Sequence, residues 1–379
     1  MSLPYSRRKR IPERIGTGRR NKAMGTQGDI LIVIHGPGRG RDVPTGRVFM
    51  DRVRETDPAF AARIRFHETG APAPDLSGVS LVTFWLGDPL KEKYPACFAD
   101  AASIAKSARE AGIRVLNNPE ALSNTANTRQ SAIWSQERLP SARARIVNRP
   151  SSLAQVCREL GGTCIVRSDV EHAQRDVIII RNEADARRAA KTCAFPVAVI
   201  QLYDIRAEYR AAGADPSSLF TRYHHKARAF VFGDTVMPSH LFFAPDLVVG
   251  LSNCLLKRES RPRRRVGHRF GYHRKLLGDM IREDQSYFDS DPLHARTLVE
   301  GVRALGLDFA AVDYSIRPDG SAILWEANPY FYLPPGEQSV LSAERNAVDR
   351  VNQSLDWMAA NLRAAAASTQ SVPRLMQAS

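Results

Sequence analysis

The sequence lacks any uninterrupted apolar stretch of about 18 residues, so nothing in it reads as a transmembrane helix. Its basic N-terminus is followed by no apolar signal core, which makes a cytoplasmic location without a membrane partner the expectation. Cysteine is sparse. Cys97, Cys157, Cys164, Cys193 and Cys254 are scattered, odd in number and without a C-x-x-C pair. That spacing fits neither a zinc site nor a disulfide framework, and buried, reduced thiols are the expectation. No Ser, Cys or His catalytic triad can be picked out. The glycines at 36, 38 and 40 miss the G-x-G-x-x-G spacing because Arg41 stands where the third glycine would fall, so a tight turn is expected there.

What remains is ordinary globular composition with an uneven charge. The 379 residues are 43% hydrophobic and 25% charged, enough for two or three compact units. The net charge of +14 is concentrated in two segments. Residues 1–27 hold Arg7, Arg8, Lys9, Arg10, Arg14, Arg19, Arg20 and Lys22 against Glu13 alone. Leu256–Lys275 holds Lys257, Arg258, Arg261, Arg263, Arg264, Arg265, Arg269, Arg274 and Lys275 against Glu259. The rest of the chain is nearly neutral. Such blocks are usually solvated arms and can dock polyanions. Neither interleaves aromatics for base stacking, so nucleic acid is the less favoured partner.

Along the chain, Asp29–Ile34 (DILIVI), Val79–Trp85 (VSLVTFW) and Ile113–Leu116 read as strands, with helical patterns from Val48 and over Asp100–Glu110. Strands alternating with helices indicate a parallel α/β sheet. The loop after the first strand lies where such sheets place ligands. From about residue 150 the pattern changes to a short helix over Ser152–Leu160, strands at Thr163–Arg167 and Asp176–Arg181, a helix over Glu183–Ala194 and a strand at Phe195–Leu202. That is a lid-sized α+β lobe. The strand Arg222–Phe232 sets Arg222, His224, Lys226 and Arg228 on one face by its period of two, and Gly233-Asp234 supplies a hairpin turn. A basic row on an inner strand calls for anions to pair with.

Gly306–Pro329 carries the sharpest signal. Phe309–Ile316 and Ser321–Ala327 are β-rich runs joined at Pro318-Asp319-Gly320. A two-residue Asp319-Gly320 turn sets Asp313 directly across from Glu326, with Asn328 on the same face. Directly opposed carboxylates repel unless a cation lies between them. Hard oxygen donors of this kind suit Mg²⁺ or Mn²⁺, completed by phosphate oxygens.

The run L-D-F-x-x-V-D, the D-G turn and W-E-A-N-P together resemble the closing motif of ATP-grasp enzymes, among them the glutathione synthetase-like carboxylate–amine ligases. Val115–Pro119 (VLNNP) with Thr125 and Thr128-Arg129 is similar to the junction that ends the preceding domain in one branch of that superfamily. Cys164–Arg167, Val199–Asp204 and Lys226–Arg228 resemble its ATP-contacting strands. The resemblance implies a fold of class α/β and α+β, in which a parallel pre-ATP-grasp domain precedes a two-lobed ATP-grasp fold. The divisions expected are a basic flexible arm at 1–27, a Rossmann-like domain at 28–148, the small lid lobe at 149–200, a C-terminal lobe at 201–365 with a basic insertion at about 256–275, and a loose tail at 366–379.

It also implies the site. Asp313, Glu326 and Asn328 would hold Mg²⁺ or Mn²⁺. ATP would contact Arg129, Arg167, Gln201, Asp204, Lys226 and Arg228, with Arg228 also catalytic. Departures from the family pattern are an arginine at 167, Gln201 in the hinge and a lid loop, Ser168–Arg175 (SDVEHAQR), without glycine, where His172 and Arg175 are expected to supply side-chain contacts to phosphate. The implied activity is ATP-dependent activation of a carboxylate for attack by an amine, on a small-molecule or peptide substrate that the arginines would suit if acidic. An ATP-grasp kinase and a catalytically lapsed nucleotide- or nucleic-acid-binding protein are the alternatives. Oligomeric state leaves no trace in the sequence.

Overall fold

The computed structural model describes residues 28–38, 45–171, 177–250, 253–255, 272–291, 294–331 and 347–368. The basic arm, most of the 256–275 insertion, His172 and Arg175 lie outside the described residues. Among those described, no helix is long and apolar enough to cross a membrane, and the five cysteines form no disulfide.

The first unit comprises β1 (Asp29–Ile34), α1 (Thr45–Thr56), α2 (Pro58–Ala61), β2 (Ile64–Glu68), β3 (Val79–Trp85), α3 (Leu90–Lys93), α4 (Pro95–Glu110) and β4 (Arg114–Leu116). Its sheet runs β2-β1-β3-β4, parallel throughout. The unbroken apolar run of β1 follows from burial on both sides. Leu31 and Val33 pack with Ala101, Ile104 and Ala108 of α4, while Ile30 and Ile32 pack with Phe49, Met50 and Val53 of α1. Edge strand β2 (IRFHE) has only mixed alternation, which leaves it a weak strand signature in the sequence.

After α5 (Asn127–Gln136), a second antiparallel sheet gathers β5 (Ala144–Val147), β6 (Cys164–Arg167), β7 (Ile178–Ile180) and β8 (Val197–Gln201) in the order β5-β8-β6-β7. Helices α6 (Leu153–Glu159) and α7 (Glu183–Thr192) share its small core of Leu153, Cys157, Val166, Ala186 and Val199. Because β5 pairs with β8, this sheet begins at residue 144, ahead of the division expected at 149.

The third unit holds α8 (Ile205–Ala211), α9 (Leu219–Arg222), β9 (His224–Phe232), β10 (Thr235–Ala244), α10 (Tyr272–Phe288), α11 (Ala295–Ala304), β11 (Phe309–Ile316), β12 (Ala322–Asn328) and α12 (Ala347–Ala367). Its antiparallel sheet runs β10-β9-β11-β12. Arg222 belongs to α9 rather than to the strand, so the basic row begins at His224. Ala227, Ala229, Val231, Val312 and Tyr314 pack with Met280 of α10 and with Leu298 and Val302 of α11. That burial turns Lys226, Arg228 and Asp313 to the opposite side. Helix α12 returns to the first unit, where Arg52 pairs with Asp356 at 2.7 Å.

The first and third units are clamped at Asn117, which is fully buried with φ +50°. Its side chain accepts from the N–H groups of Asp308 (2.8 Å) and Phe309 (3.1 Å) and donates to the Phe309 carbonyl (2.9 Å). Its own N–H donates to the Asp308 carboxylate at 2.6 Å. Asparagine tolerates this backbone region better than most residues, and here its amide fills the start of β11. Asn117→Ala should lower unfolding free energy by about 2–4 kcal/mol, because it strands buried backbone groups. Urea unfolding measures this, and an unchanged midpoint would refute the clamp.

Candidate active site

The sheet of the third unit presents three charged residues in one line across three strands. Arg228 of β9 lies opposite Asp313 of β11, and Asp313 lies opposite Glu326 of β12. The hairpin reaches that pairing by a route other than the one expected. Ile316 pairs with Ala322, and Gly320 N–H donates to Arg317 O at 2.9 Å, so the turn holds three residues, with Gly320 at φ +81°. That register alone would set Asp313 against Trp325. An extra residue on β12, between the Tyr314–Leu324 and Asp313–Glu326 pairs, restores the alignment. The bulge also brings Trp325 and Glu326 together onto the cleft side.

Asp313 is 2% exposed and is gripped from β9. Arg228 donates to it through Nε (2.6 Å) and Nη2 (3.0 Å), and Lys226 Nζ through one hydrogen bond of 2.8 Å. Burial pushes the Asp313 carboxyl up, but the charges and hydrogen bonds of Arg228 and Lys226 outweigh it and hold it well below the usual carboxylate range. For Arg228, burial lowers the guanidinium, and Asp313 and Glu326 more than reverse that.

These side chains line a cleft of about 300 Å³ between the second and third sheets. One part is polar: Arg167, Lys226, Arg228, Asp313, Glu326 and Asn328. Another is apolar and aromatic: Ile165, Ile200, Leu202, Tyr203, Val248 and Trp325. Tyr203 and Trp325 lie tilted together with ring centres 6.0 Å apart, and the indole N–H donates to Ser315 Oγ at 2.8 Å. The cleft lining thus combines apolar and aromatic side chains with a charged row.

The other residues singled out from the sequence lie elsewhere. Gln201 accepts from Arg143 and from the Tyr203 hydroxyl, both at 2.9 Å. Asp204 caps α8 by accepting from Ala207 N–H (3.1 Å) and sits 3.3 Å from Arg206. Arg129 is exposed on α5. None of the three lines the cleft. Asn127, two residues before Arg129, does, as do Tyr203, Ser315, Trp325 and Tyr330. Trp325 and Tyr203 stand inside the runs already noted, whereas nothing in the sequence marks Asn127 or Tyr330 as cleft residues.

The start of the lid loop after β6 is fastened by side chains. Asp169 accepts from the backbone N–H (2.8 Å) and the hydroxyl (2.9 Å) of Thr128, so it caps α5 from another element. Asn127 donates to the carbonyls of Asp169 (2.7 Å) and Glu171 (3.2 Å), Lys93 pairs with Glu171 at 3.0 Å, and Arg167 donates to the Glu171 carbonyl.

The donor set suits a divalent ion with a polyphosphate. Among the described residues no cluster of three or more His, Cys, Asp or Glu could hold a metal alone. Two carboxylates and the Asn328 amide are hard oxygen donors, and an ion bound to them would need phosphate oxygens as well. Arg167, Lys226 and Arg228 supply the remaining positive charge.

No family model matches the sequence, and no curated protein matches it. Solved structures do. The ATP-grasp ligase PsnB with a minimal precursor matches with a TM-score of 0.50 at 14% identity, covering 88% of this chain and 99% of that one. PsnB with the precursor peptide PsnA2 and AMPPNP matches with a TM-score of 0.50 at 14% identity, covering 90% and 99%. The chain has the ATP-grasp fold.

Two predictions come from the cleft. His225 accepts from Ile316 N–H at 3.0 Å, and burial pushes its imidazole down to about 3 from an ordinary 6.5. Its folded-state value is depressed, so the folded state resists protonation. The contribution of His225 to stability should be level above pH 6.5 and fall by roughly 1.4 kcal/mol per pH unit below it, until the folded group itself titrates, and His294, pushed down to about 4 by burial, adds a fall of the same sign. Urea midpoints at pH 7 and pH 5 test this, and equal midpoints would contradict it. Asp169→Ala should speed amide exchange at the start of α5 and in residues 168–171, since a lost cap costs about 1 kcal/mol. Unaltered exchange would mean that the loop is held by other contacts.

Proposed function

We propose that this protein is an ATP- and magnesium-dependent ligase. A substrate carboxylate oxygen attacks the γ-phosphorus, releasing ADP and leaving an acylphosphate. An amine nitrogen then forms the amide bond as phosphate departs. The observation that carries this reading is the Arg228–Asp313–Glu326 row, with Lys226 beside it, in a cleft that is also lined by apolar and aromatic side chains.

In this reading the adenine enters the slot formed by Ile165, Ile200, Leu202, Tyr203 and Trp325. Asp313, Glu326 and Asn328 would hold Mg²⁺, which when bound neutralises and orients the β- and γ-phosphates. Arg228 and Lys226 are fixed by Asp313, so their donors meet the developing charge on the transferred phosphoryl group without further reorganisation. Arg167, tied to the lid loop through Glu171, closes the phosphate end from above. Positioning and charge stabilisation carry phosphoryl transfer, so no nucleophilic triad is required. The two PsnB structures are complexes with precursors, one of them a precursor peptide, which makes a peptide acceptor the first choice alongside small carboxylic acids.

ADP release from ATP and Mg²⁺, with pooled amino acids and short peptides as acceptors, tests the reading. Glu326→Gln keeps the shape and removes a charge, and turnover should drop by about 100-fold or more. Mass spectrometry of the products separates an amide from a phosphorylated acceptor. Full turnover by Glu326→Gln, or no nucleotide binding by the native protein, would rule the assignment out.

A further inference from the structure

The first turn of α5 is bonded to both sides of the cleft. Asn127 and Gln130, three residues apart and so on one helical face, are both buried. Gln130 Oε1 accepts from the Ala327 N–H of β12 at 3.1 Å, between the cleft residues Glu326 and Asn328. Further along the helix, Trp134 Nε1 donates to the Gly301 carbonyl of α11 at 2.8 Å. The helix is thereby fixed to the third unit.

Asn127 reaches the other side. Its backbone N–H donates to the Asp169 carbonyl at 3.0 Å. Its side-chain Nδ2 donates to three carbonyls of the loop after β6, those of Ser168 (3.4 Å), Asp169 (2.7 Å) and Glu171 (3.2 Å). Three converging carbonyls call for an uncharged donor, since a carboxylate in its place could only repel them. The Glu171 carbonyl also accepts from Arg167 Nη2, so a single oxygen joins Asn127 to Arg167. Ile165 and Arg167, two residues apart on β6, share the face that lines the cleft.

We propose that Asn127 is a positioning residue for the nucleotide's phosphates: it sets the place of Arg167 relative to the strand that bears Glu326 and Asn328. This rests on the ligase reading above and adds to it a residue that acts through Arg167. Gln130 ties α5 to one wall of the cleft and Asn127 ties the same turn to the other, so the helix fixes the spacing between them. A long arginine side chain gives up rotamer freedom when it grips an anion. Bonding one of its nitrogens to a carbonyl that is itself held meets part of that cost in advance. Asn127 supplies the hold, and Arg167 supplies the charge.

Isothermal titration of the full-length protein with a nonhydrolysable ATP analogue and magnesium, and separately with adenosine, tests it. Arg167→Ala should weaken the analogue by about tenfold, as loss of a charge-assisted hydrogen bond does, and leave adenosine unchanged. Asn127→Ala should weaken the analogue by roughly fivefold, again without effect on adenosine, since only a phosphate contact is displaced. The double variant should bind the analogue within about twofold of Arg167→Ala, whereas independent contributions would multiply to about fiftyfold. Thermal unfolding checks each variant, and Asn127→Ser replaces Asn127→Ala if the latter does not fold. The Arg167→Ala result decides the matter even if neither folds. Full affinity in either single variant, multiplied losses in the double one, or equal losses for adenosine and the analogue would overturn the positioning role alone. Absence of analogue binding to the native protein would overturn the ligase reading and the positioning role with it.

Discussion

The structure of the cleft turns on one buried carboxylate. Asp313 sits in the middle of a four-stranded sheet, with two cations on its β9 side and a second carboxylate on its β12 side. Removing a carboxylate from water costs several kcal/mol, and close pairing returns most of that without much net gain in stability. A well-packed apolar residue would serve the sheet as well or better. What the arrangement gives instead is order: Lys226 and Arg228 are long, flexible side chains, and Asp313 holds both heads in place by three hydrogen bonds. Their direction is settled before any ligand arrives, which is what electrostatic catalysis of phosphoryl transfer asks of a protein.

That order depends on register. Strand parity sends the alanines and valines of β9 and β11 towards α10 and α11, which leaves the charged residues on the cleft face. A slip of one residue would bury Lys226 and Arg228 against Met280 and Leu298. The bulge in β12 is the finer adjustment. Without it Glu326 would stand out of line with Asp313. With it, Trp325 and Glu326 both reach the cleft, so an aromatic ring and a carboxylate come from adjacent residues.

Much of this was legible in the sequence because it rests on short-range pattern. The DILIVI run, the alternation after His224 and the two β-rich runs around Pro318-Asp319-Gly320 each follow from the period of the backbone. A two-residue turn predicts the opposition of Asp313 and Glu326, which the structure has with a turn one residue longer; the bulge that compensates leaves no local signature. Arg222 reads as a strand residue because alternation does not mark where a short helix ends. Gln201, Asp204 and Arg129 are suggested only by likeness to other chains, and here Gln201 meets Arg143 and Tyr203, Asp204 the start of α8, and Arg129 the solvent. Asn127 and Tyr330 could not be found at all, since the cleft is made by elements far apart in the chain.

The lid shows how a departure from a family pattern can be read physically. Glycines in such a loop serve where backbone amides must approach phosphate closely. In this chain the described half of the loop is fixed by side chains instead: Asp169 caps α5, Glu171 reaches Lys93, and Asn127 gathers the carbonyls of Ser168, Asp169 and Glu171. Asn127 also lines the cleft, so the same residue touches both the lid and the space beneath it. Arg167 is drawn to the Glu171 carbonyl by the same fold of the loop. Its guanidinium is therefore positioned by the lid's anchorage, and a change in how the loop sits on α5 would move a charge in the cleft. The missing glycines therefore exchange a cradle of backbone amides for a cation carried on a tethered strand.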